Sequence, residues 1–265
     1  MIGCIFHEGS GLGNQLFRYI AVRTLAEDKK YECSIVNPEN FKGKGFMELD
    51  TKVVSGDSST RNLPFYTSRF EEKKVMENGV DIRSYDPEFN FITDKTLVDG
   101  EFQDERYWGH RLNDINKWLK VEPLEMPDNL CVIGFRGGEY YTVPDLGLPK
   151  SYFYYSMEKM REVNPGMRFE VHTDDTCLAR EFFPEIPIID NKRISHSLNE
   201  NMGYNWRAMR YAKYAIIANS SFYIIPRLLR HFQDEALTIA PRYWARRNTK
   251  VWALPQNYYS AFTYI

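Results

Sequence analysis

The sequence predicts an α/β protein of two facing Rossmann-like domains, each with a mostly parallel β-sheet. Apolar strands alternate with amphipathic helices, which is typical of βαβ units, and two of the strands run directly into glycine-containing loops. Val121–Asp128 holds two prolines and three acidic residues in eight, a composition typical of a linker. We therefore assign residues 1–122 to an N-terminal domain and residues 128–265 to a C-terminal domain.

The N-terminal domain opens with an apolar strand, a glycine loop and a helix. Ile2–Phe6 is the apolar run, Gly9, Gly11 and Gly13 follow, and apolar residues then recur with a helical period. This arrangement points backbone N–H groups and the positive end of a helix at an anion, and Asn14 adds a side-chain amide there. The stretch predicts a site for a phosphate-bearing ligand, but a tight strand–helix turn without a ligand explains the glycines equally well. The spacing matches neither a dinucleotide fingerprint nor a P-loop.

The rest of the N-terminal domain gives weaker signals. A second strand is expected at Glu32–Val36, and a short amphipathic helix at Leu112–Leu119. Between them, Leu97–Trp108 is expected to begin as a strand and to turn into an aromatic, charged segment. Trp108 lies in an aromatic, charged segment after the later strand, and we interpret it as a core residue. His7 is interpreted as a surface residue.

The C-terminal domain begins with a second anion signal. Leu130–Phe135 is a continuous apolar run, typical of a parallel strand that is covered on both faces. It ends in Arg136, which glycines follow, and the planar guanidinium suits a pyrophosphate. Helices and strands then alternate: a helix to Val163, a strand at Arg168–His172, a helix at Leu178–Phe183, a strand at Ile186–Ile189, a helix at Met202–Lys213 and a strand at Tyr214–Ala218. Asn219, Ser220 and Ser221 cap a further helix, which Pro226 interrupts or restarts. Leu237–Ala240 is expected to be the strand that closes the sheet.

Composition excludes several classes of protein. Apolar residues make up 43% and aromatic residues 15% of the chain, which favours a folded globular protein, and the net charge of −2 argues against a nucleic-acid partner. No apolar run reaches the length of a membrane span and no secretion signal is recognisable, so we expect a cytoplasmic protein. The four cysteines lack paired spacing, and Cys4 and Cys131 are expected as buried, reduced thiols.

Six segments, in order along the chain, resemble the motifs of the α-1,2-fucosyltransferases, glycosyltransferase family 11. Gly11–Tyr19 resembles G-L-G-N-Q-M-F-Q-Y, Gly100–Trp108 resembles G-Y-F-Q-S-E-K-Y-F, and Ile133–Tyr140 resembles V-H-V-R-R-G-D-Y. The remaining three are Thr173–Asp175 (S-D-D), Ala218–Phe222 (A-N-S-S-F) and Pro241–Trp244 (P-x-x-W). The resemblance covers nearly the whole chain.

The resemblance implies an inverting glycosyltransferase of the two-domain GT-B type that needs no metal ion or other cofactor. Its substrates would be a nucleotide sugar, by default GDP-fucose, and a hydroxyl of a glycan. Arg136 would clamp the donor's β-phosphate, and one of two adjacent aspartates would bind guanine. The catalytic candidates are Arg136, Asn14 and Glu139; the donor-binding candidates are Gly11, Gly13, Asn14, Arg136, Asp174, Asp175, Asn219, Ser220, Ser221 and Phe222.

Departures from the family pattern keep two alternatives open. Gly134 stands where the family has histidine, Gly137 where it has a second arginine, and Glu139 where it has aspartate. A transferase of the same fold that uses another nucleotide sugar, such as a UDP-pentose, is one alternative. A nucleotide- or glycan-binding protein without turnover is the other. A metal-binding role of Asp174 and Asp175 is disfavoured, because the acids are adjacent.

Overall fold

A computed structural model of the chain gives the fold. The structure describes residues 1–50, 53–55, 65–77, 80–143, 146–189, 198–233, 235–244 and 257–265. The chain divides into two compact units, Met1–Val121 and Glu122–Ile265. No helix in these ranges is long and apolar enough to cross a membrane.

The first unit is built around a five-stranded parallel sheet with the order β4-β2-β1-β8-β5. Because β1 and β8 are parallel neighbours, the loops that follow them emerge at the same edge. Two antiparallel pairs, β3 with β9 and β6 with β7, lie outside this sheet. The elements are β1 (Ile2–Ile5), α1 (Leu12–Lys29), β2 (Cys33–Val36), β3 (Met47–Leu49), β4 (Val53–Ser55), β5 (Ser68–Glu71), β6 (Val75–Glu77), β7 (Val80–Ile82), β8 (Thr96–Asp99), α2 (Leu112–Trp118) and β9 (Leu119–Val121).

Helix α1 is the longest described helix of this unit and is buried over most of its length. Leu16, Phe17 and Ile20 are almost fully buried, and each such side chain contributes about 1.5–3 kcal/mol on leaving water. The ring of Trp108 lies 5.8 Å from that of Phe17 and is itself buried, which confirms its interpretation as a core residue. The helix ends where Lys30 adopts a left-handed conformation.

The second unit contains a six-stranded parallel sheet. Its order, β12-β11-β10-β13-β14-β15, is the 3-2-1-4-5-6 order of the doubly wound Rossmann fold. The strand order reverses at the β10–β13 pair. The elements are β10 (Leu130–Phe135), α3 (Glu139–Thr142), α4 (Lys150–Val163), β11 (Arg168–Thr173), α5 (Thr176–Phe182), β12 (Ile188–Ile189), α6 (Leu198–Tyr211), β13 (Tyr214–Ile217), α7 (Ser221–Gln233), β14 (Leu237–Ala240) and β15 (Thr263–Tyr264).

Strand β10 lies at the centre of this sheet and all six of its residues are buried, as its continuous apolar run predicts. Phe135 at its carboxyl end packs at 5.0–5.5 Å against an aromatic cluster of Tyr141, Phe153, Phe182 and Phe183. This cluster fixes the end of the strand from which Arg136 continues. The predicted α/β fold with mostly parallel sheets is confirmed.

Some sequence-based expectations need correction. Leu237–Ala240 does not close the sheet, because β15 pairs beyond it. Pro226 neither starts nor interrupts a helix but lies inside the continuous helix α7. Cys4 and Cys131 are free and buried as expected, Cys33 is likewise buried, and Cys177 is exposed.

A buried arginine connects the carboxyl-terminal elements of the second unit. Arg227 on α7 is fully buried, and its guanidinium donates to the carbonyls of Met209 (2.8 Å) and Ala212 (2.7 Å) and to Oγ1 of Thr238 (2.8 Å). Longer bonds of 3.4 Å reach the carbonyls of Lys213 and Leu237. Since helix α6 ends at Tyr211, this side chain satisfies backbone acceptors at and just beyond a helix terminus.

Candidate functional site

The carboxyl edge of the second sheet brings several predicted site residues together. Strands β10 and β11 pair in parallel with Phe135 opposite Thr173. The next residues of the two strands, Arg136 and Asp174, therefore emerge side by side. Open α/β sheets bind ligands at this edge, near the point where the strand order reverses.

Arg136 is the centre of a cluster of charged and aromatic groups. Its guanidinium forms an ion pair with Asp174, donates to Oε1 of Glu139 at 3.0 Å, and lies 5.3 Å from the ring centre of Tyr140. Partial burial alone would lower the pKa of Arg136, but Asp174 and the other neighbouring groups raise it above its ordinary value. Arg136 therefore remains a fixed positive charge.

Two backbone N–H groups next to Arg136 bind the adjacent carboxylates of Asp174 and Asp175. Gly137 donates to Oδ1 of Asp174 at 2.8 Å, and Gly138 donates to Oδ2 of Asp175 at 3.1 Å. Asp175 also caps helix α5 by accepting from the N–H of Leu178 at 3.0 Å. Successive N–H groups beside a guanidinium form a concave anion-binding site, and here the anions are carboxylates of the protein.

Sterics and backbone conformation explain why positions 137 and 138 are glycine. A Cβ at position 137 would lie 2.5 Å from Cβ of Asp175, and Gly138 has a φ of +51°. Gly137 is required for the close approach of Asp175, which occupies the space next to the position of the family's second arginine.

Two tyrosines belong to the cluster, and neither was predicted from the sequence. A Cβ at Gly134 would lie 2.8 Å from a ring carbon of the buried Tyr223, so this ring excludes the family's histidine. Burial raises the pKa of Tyr223, and charges on Asp174 and Arg136 also act on it. Tyr140 forms a hydrogen bond with Ser220, and burial raises its pKa. Of the two, Tyr140 is the one that lies in a segment resembling a family motif, so the sequence could have indicated it.

The predicted A-N-S-S-F residues form the start of helix α7. Ser220 is buried and Ser221 is the first helical residue, with Ser221 and Phe222 partly accessible. Asn219 is buried, and its amide donates to the carbonyl of Leu146 at 2.9 Å and to that of Trp244. Its side-chain amide thus connects two loops, and a direct contact with a donor stays a prediction.

In the first unit the glycine loop follows β1. Gly9 has a φ of +77°, and neither Gly9 nor Gly11 would meet any atom within 4 Å if it carried a Cβ. Gly11 is the N-cap of α1 and no side chain caps the helix there, so the first N–H groups are available to an anion. Gly13 does not belong to the loop; it is buried in the first turn of α1.

Asn14 lies in the first turn of α1, next to this loop. Its Oδ1 accepts from Nε2 of Gln103 at 3.2 Å. The structure thus places the predicted site residues at two edges. Gly11 and Asn14 lie in the first unit, and Arg136, Glu139, Asp174, Asp175 and Ser220 lie in the second. In the described ranges no three His, Cys, Asp or Glu residues are grouped as metal ligands.

No family model matches the chain. The O-antigen biosynthesis glycosyltransferase WbnK of Escherichia coli is 22% identical over 302 aligned positions, which cover 94% of this chain and 96% of that protein. Among solved structures, POFUT1 in complex with GDP-fucose matches 89% of this chain and 95% of its own, with a TM-score of 0.52 at 11% identity. The glycosyl transferase family 9 protein of Veillonella parvula matches 100% of this chain and 86% of its own, with a TM-score of 0.52 at 12% identity.

WbnK and the Veillonella parvula protein are glycosyltransferases by name. The predicted enzyme class is therefore confirmed, together with a fold like that of GT-B glycosyltransferases. Membership of glycosyltransferase family 11 stays a prediction.

Proposed function

We propose that the protein is an inverting, metal-independent glycosyltransferase that moves fucose from GDP-fucose to a hydroxyl of a glycan. The family motifs support this donor, and one protein of similar fold was solved with GDP-fucose. In this proposal the second unit binds the nucleotide sugar and the first unit binds the acceptor.

One observation carries the proposal: the guanidinium of Arg136 and the N–H of Gly137 converge on a single carboxylate, that of Asp174. The donor groups are therefore already arranged around one anion. A β-phosphate of the donor that takes the place of this carboxylate would receive the same bonds. When the bond between sugar and phosphate breaks, these groups stabilise the charge on the leaving nucleotide diphosphate.

The contacts support different roles for the two aspartates. Asp175 is required at the start of helix α5 and at Gly138. Among the described residues, Asp174 contacts the guanidinium of Arg136 and the N–H of Gly137. A phosphate can take over both groups, so the carboxylate becomes free when the donor binds. Guanine offers an N1–H and an amine side by side, which one carboxylate can accept, whereas uracil offers a single N–H. We assign base recognition to Asp174.

Calorimetric titration with GDP and with UDP tests this assignment. We expect the wild type to bind GDP about 100-fold more tightly or better, because a site built for polar partners rejects ligands that lack them. Asp174→Ala should reduce the preference to less than about tenfold. The ratio of affinities is the measure to use, since loss of Asp174 also releases Arg136 and strengthens the binding of both nucleotides.

Asp175→Asn is the matched control, because asparagine also caps helices well. It should leave the ratio unchanged, and a lost preference in this variant would transfer base recognition to Asp175. Equal affinities of the wild type for GDP and UDP, or a higher affinity for UDP, would favour a transferase that uses a UDP-sugar. This candidate stays open because Gly134 and Gly137 stand where the family has histidine and arginine. Binding of GDP with no release of sugar from any donor would indicate a binding protein.

Metal independence has its own test. All the charge stabilisers in the proposal are protein groups, so excess EDTA should leave the rate of transfer unchanged within experimental error. A rate that EDTA abolishes and manganese restores would revive a metal-binding role for Asp174 and Asp175.

A further inference from the structure

Tyr140 connects the two loops that flank the point where the strand order of the second sheet reverses. It lies in α3, which follows β10, and its hydroxyl forms a hydrogen bond with that of Ser220, which follows β13. β10 and β13 are parallel neighbours, so the loops after them leave the sheet at the same edge. Doubly wound sheets bind ligands in the crevice at this reversal. The side chain of Tyr140 therefore joins the two sides of the crevice within the second unit.

The ring of Tyr140 also contacts the guanidinium of Arg136. Its centre lies 5.3 Å from Cζ of Arg136, a distance at which a cation is attracted to an aromatic ring. The carboxylates of Asp174 and Glu139 bond the same guanidinium. In the proposed function Asp174 gives up this bond to the donor, and the side chain of Glu139 is 71% exposed, where an ion pair holds a side chain only weakly. The ring is therefore the support that remains when the donor binds.

Both ends of the bridge are fixed to the backbone. The N–H of Tyr140 donates to the carbonyl of Gly137 at 3.1 Å, and the N–H of Ser220 donates to that of Ala218 at 2.8 Å. Ser220 is buried. Burial raises the pKa of Tyr140, so its hydroxyl stays protonated at neutral pH and the bond to Ser220 is kept.

We infer that Tyr140 is a positioning residue, which orients Arg136 toward the β-phosphate of the donor. This inference rests on the proposed function. The bond to Ser220 fixes the ring, and the ring fixes the plane of the guanidinium. The guanidinium then keeps its direction toward the place that the carboxylate of Asp174 occupies. A group that is already oriented loses little freedom when the phosphate arrives, which strengthens binding.

Calorimetric titration with nucleotides that differ by the β-phosphate tests this role. The pair is GDP and GMP, or UDP and UMP if the wild type prefers uracil, and the ratio of the two affinities measures what the β-phosphate contributes. We expect Tyr140→Leu to lower the affinity for the diphosphate about tenfold and to leave that for the monophosphate unchanged within about twofold. A residue that only supports the fold would weaken both by the same factor.

Tyr140→Phe separates the two contacts and keeps the test valid if Tyr140→Leu does not fold. Phenylalanine retains the ring over Arg136 but loses the bond to Ser220, so the affinity for the diphosphate should fall only about threefold. The same substitution should have no further effect in a Ser220→Ala background, because the bond is already absent there. Additive losses in that double variant would show that Tyr140 does not act through Ser220.

The link to Arg136 has its own double variant. In an Arg136→Ala background, Tyr140→Leu should not lower the affinity for the diphosphate any further, because the group that it orients is absent. A further tenfold loss there would show that Tyr140 acts on the nucleotide by another route and would overturn the inference.

Tyr154 provides a matched control in the same unit. Its ring centre lies 5.4 Å from Nζ of Lys150, and its hydroxyl donates to the carbonyl of Phe182 at 3.1 Å. It thus makes the same two kinds of contact as Tyr140, but on helix α4. Tyr154→Leu should keep the wild-type ratio of affinities, and a lower ratio would show that loss of a tyrosine in this unit changes the ratio without any role in orienting Arg136.

The outcomes separate this inference from the proposed function. A wild type that binds neither GDP nor UDP overturns the proposed function, and the role of Tyr140 with it. Equal affinities of the wild type for diphosphate and monophosphate overturn the phosphate role of Arg136. A wild-type preference for the diphosphate that Tyr140→Leu and Tyr140→Phe leave unchanged overturns the role of Tyr140 alone and leaves the transferase proposal intact.

Discussion

We expect Arg136→Ala to lower kcat/KM for the preferred nucleotide sugar by about 10²- to 10³-fold, because it removes a charged donor from the leaving phosphate. The affinity for GDP should fall in parallel, as measured by calorimetry. Asp174 and Glu139 lose their partner in this variant, but both are at least partly exposed and water can solvate them. The thermal stability should therefore change little.

Arg136→Lys should fail almost as badly. In the wild type, the guanidinium of Arg136 bonds Asp174 and Glu139 through different nitrogens. A lysine ammonium cannot reproduce this planar fork. Arg168→Gln is the matched control for the charge, because Arg168 lies exposed at the opposite end of the neighbouring strand β11. If Arg136→Lys keeps most of the activity, charge alone is sufficient and the forked contact with the phosphate is wrong.

The sequence predicted the long, strongly patterned elements well. The structure gives the same bounds for Leu130–Phe135, where every residue is apolar or glycine and buried, and a similar start for the helix after the glycine loop. The strand Ser68–Glu71 was missed because polar residues dominate it and most of its side chains are exposed. β15 has only two residues, too few for any period, whereas the strand predicted at Ile186–Ile189 is present as β12 over Ile188–Ile189.

The sequence predicted individual site residues but not which of them contact each other. Arg136 and Asp174 lie 38 positions apart, and they meet because β10 and β11 pair in a particular register. Register is a property of the whole sheet, and a single motif does not contain it. The hydrogen bond between His7 and Asp99 in the first unit has the same origin, with a separation of 92 positions.

Steric complementarity was the other missing information. In the sequence, Gly134 stands where the family has histidine. In the structure, the absence of a side chain at Gly134 leaves room for the ring of Tyr223. The two residues lie on a strand and on a helix far along the chain. Only their packing shows that the substitution is compensated in volume.

The largest stability effect is expected at Arg227. We expect Arg227→Met to lower the free energy of unfolding of the second unit by about 3–5 kcal/mol. Methionine removes a buried charge, which is favourable, but the carbonyls of Met209 and Ala212 stay buried and lose their donor. The hydroxyl of Thr238 loses its bond to Arg227 but keeps the one with Nε2 of His231 at 2.9 Å. Each unpaired buried acceptor costs about 1–3 kcal/mol, so together they outweigh the gain.

Native-state hydrogen exchange read by mass spectrometry measures this effect locally, which matters because a chain of two units need not unfold in one step. Exchange should accelerate about 10²-fold or more in peptides that cover the end of α6, β13 and β14, while peptides from β1 in the first unit keep their wild-type rates. Thr238→Val is the control, since it removes only one of the bonds to Arg227 and should cost about 1 kcal/mol. An equal effect of the two variants would show that the carbonyls find other partners and that Arg227 does not hold these elements together.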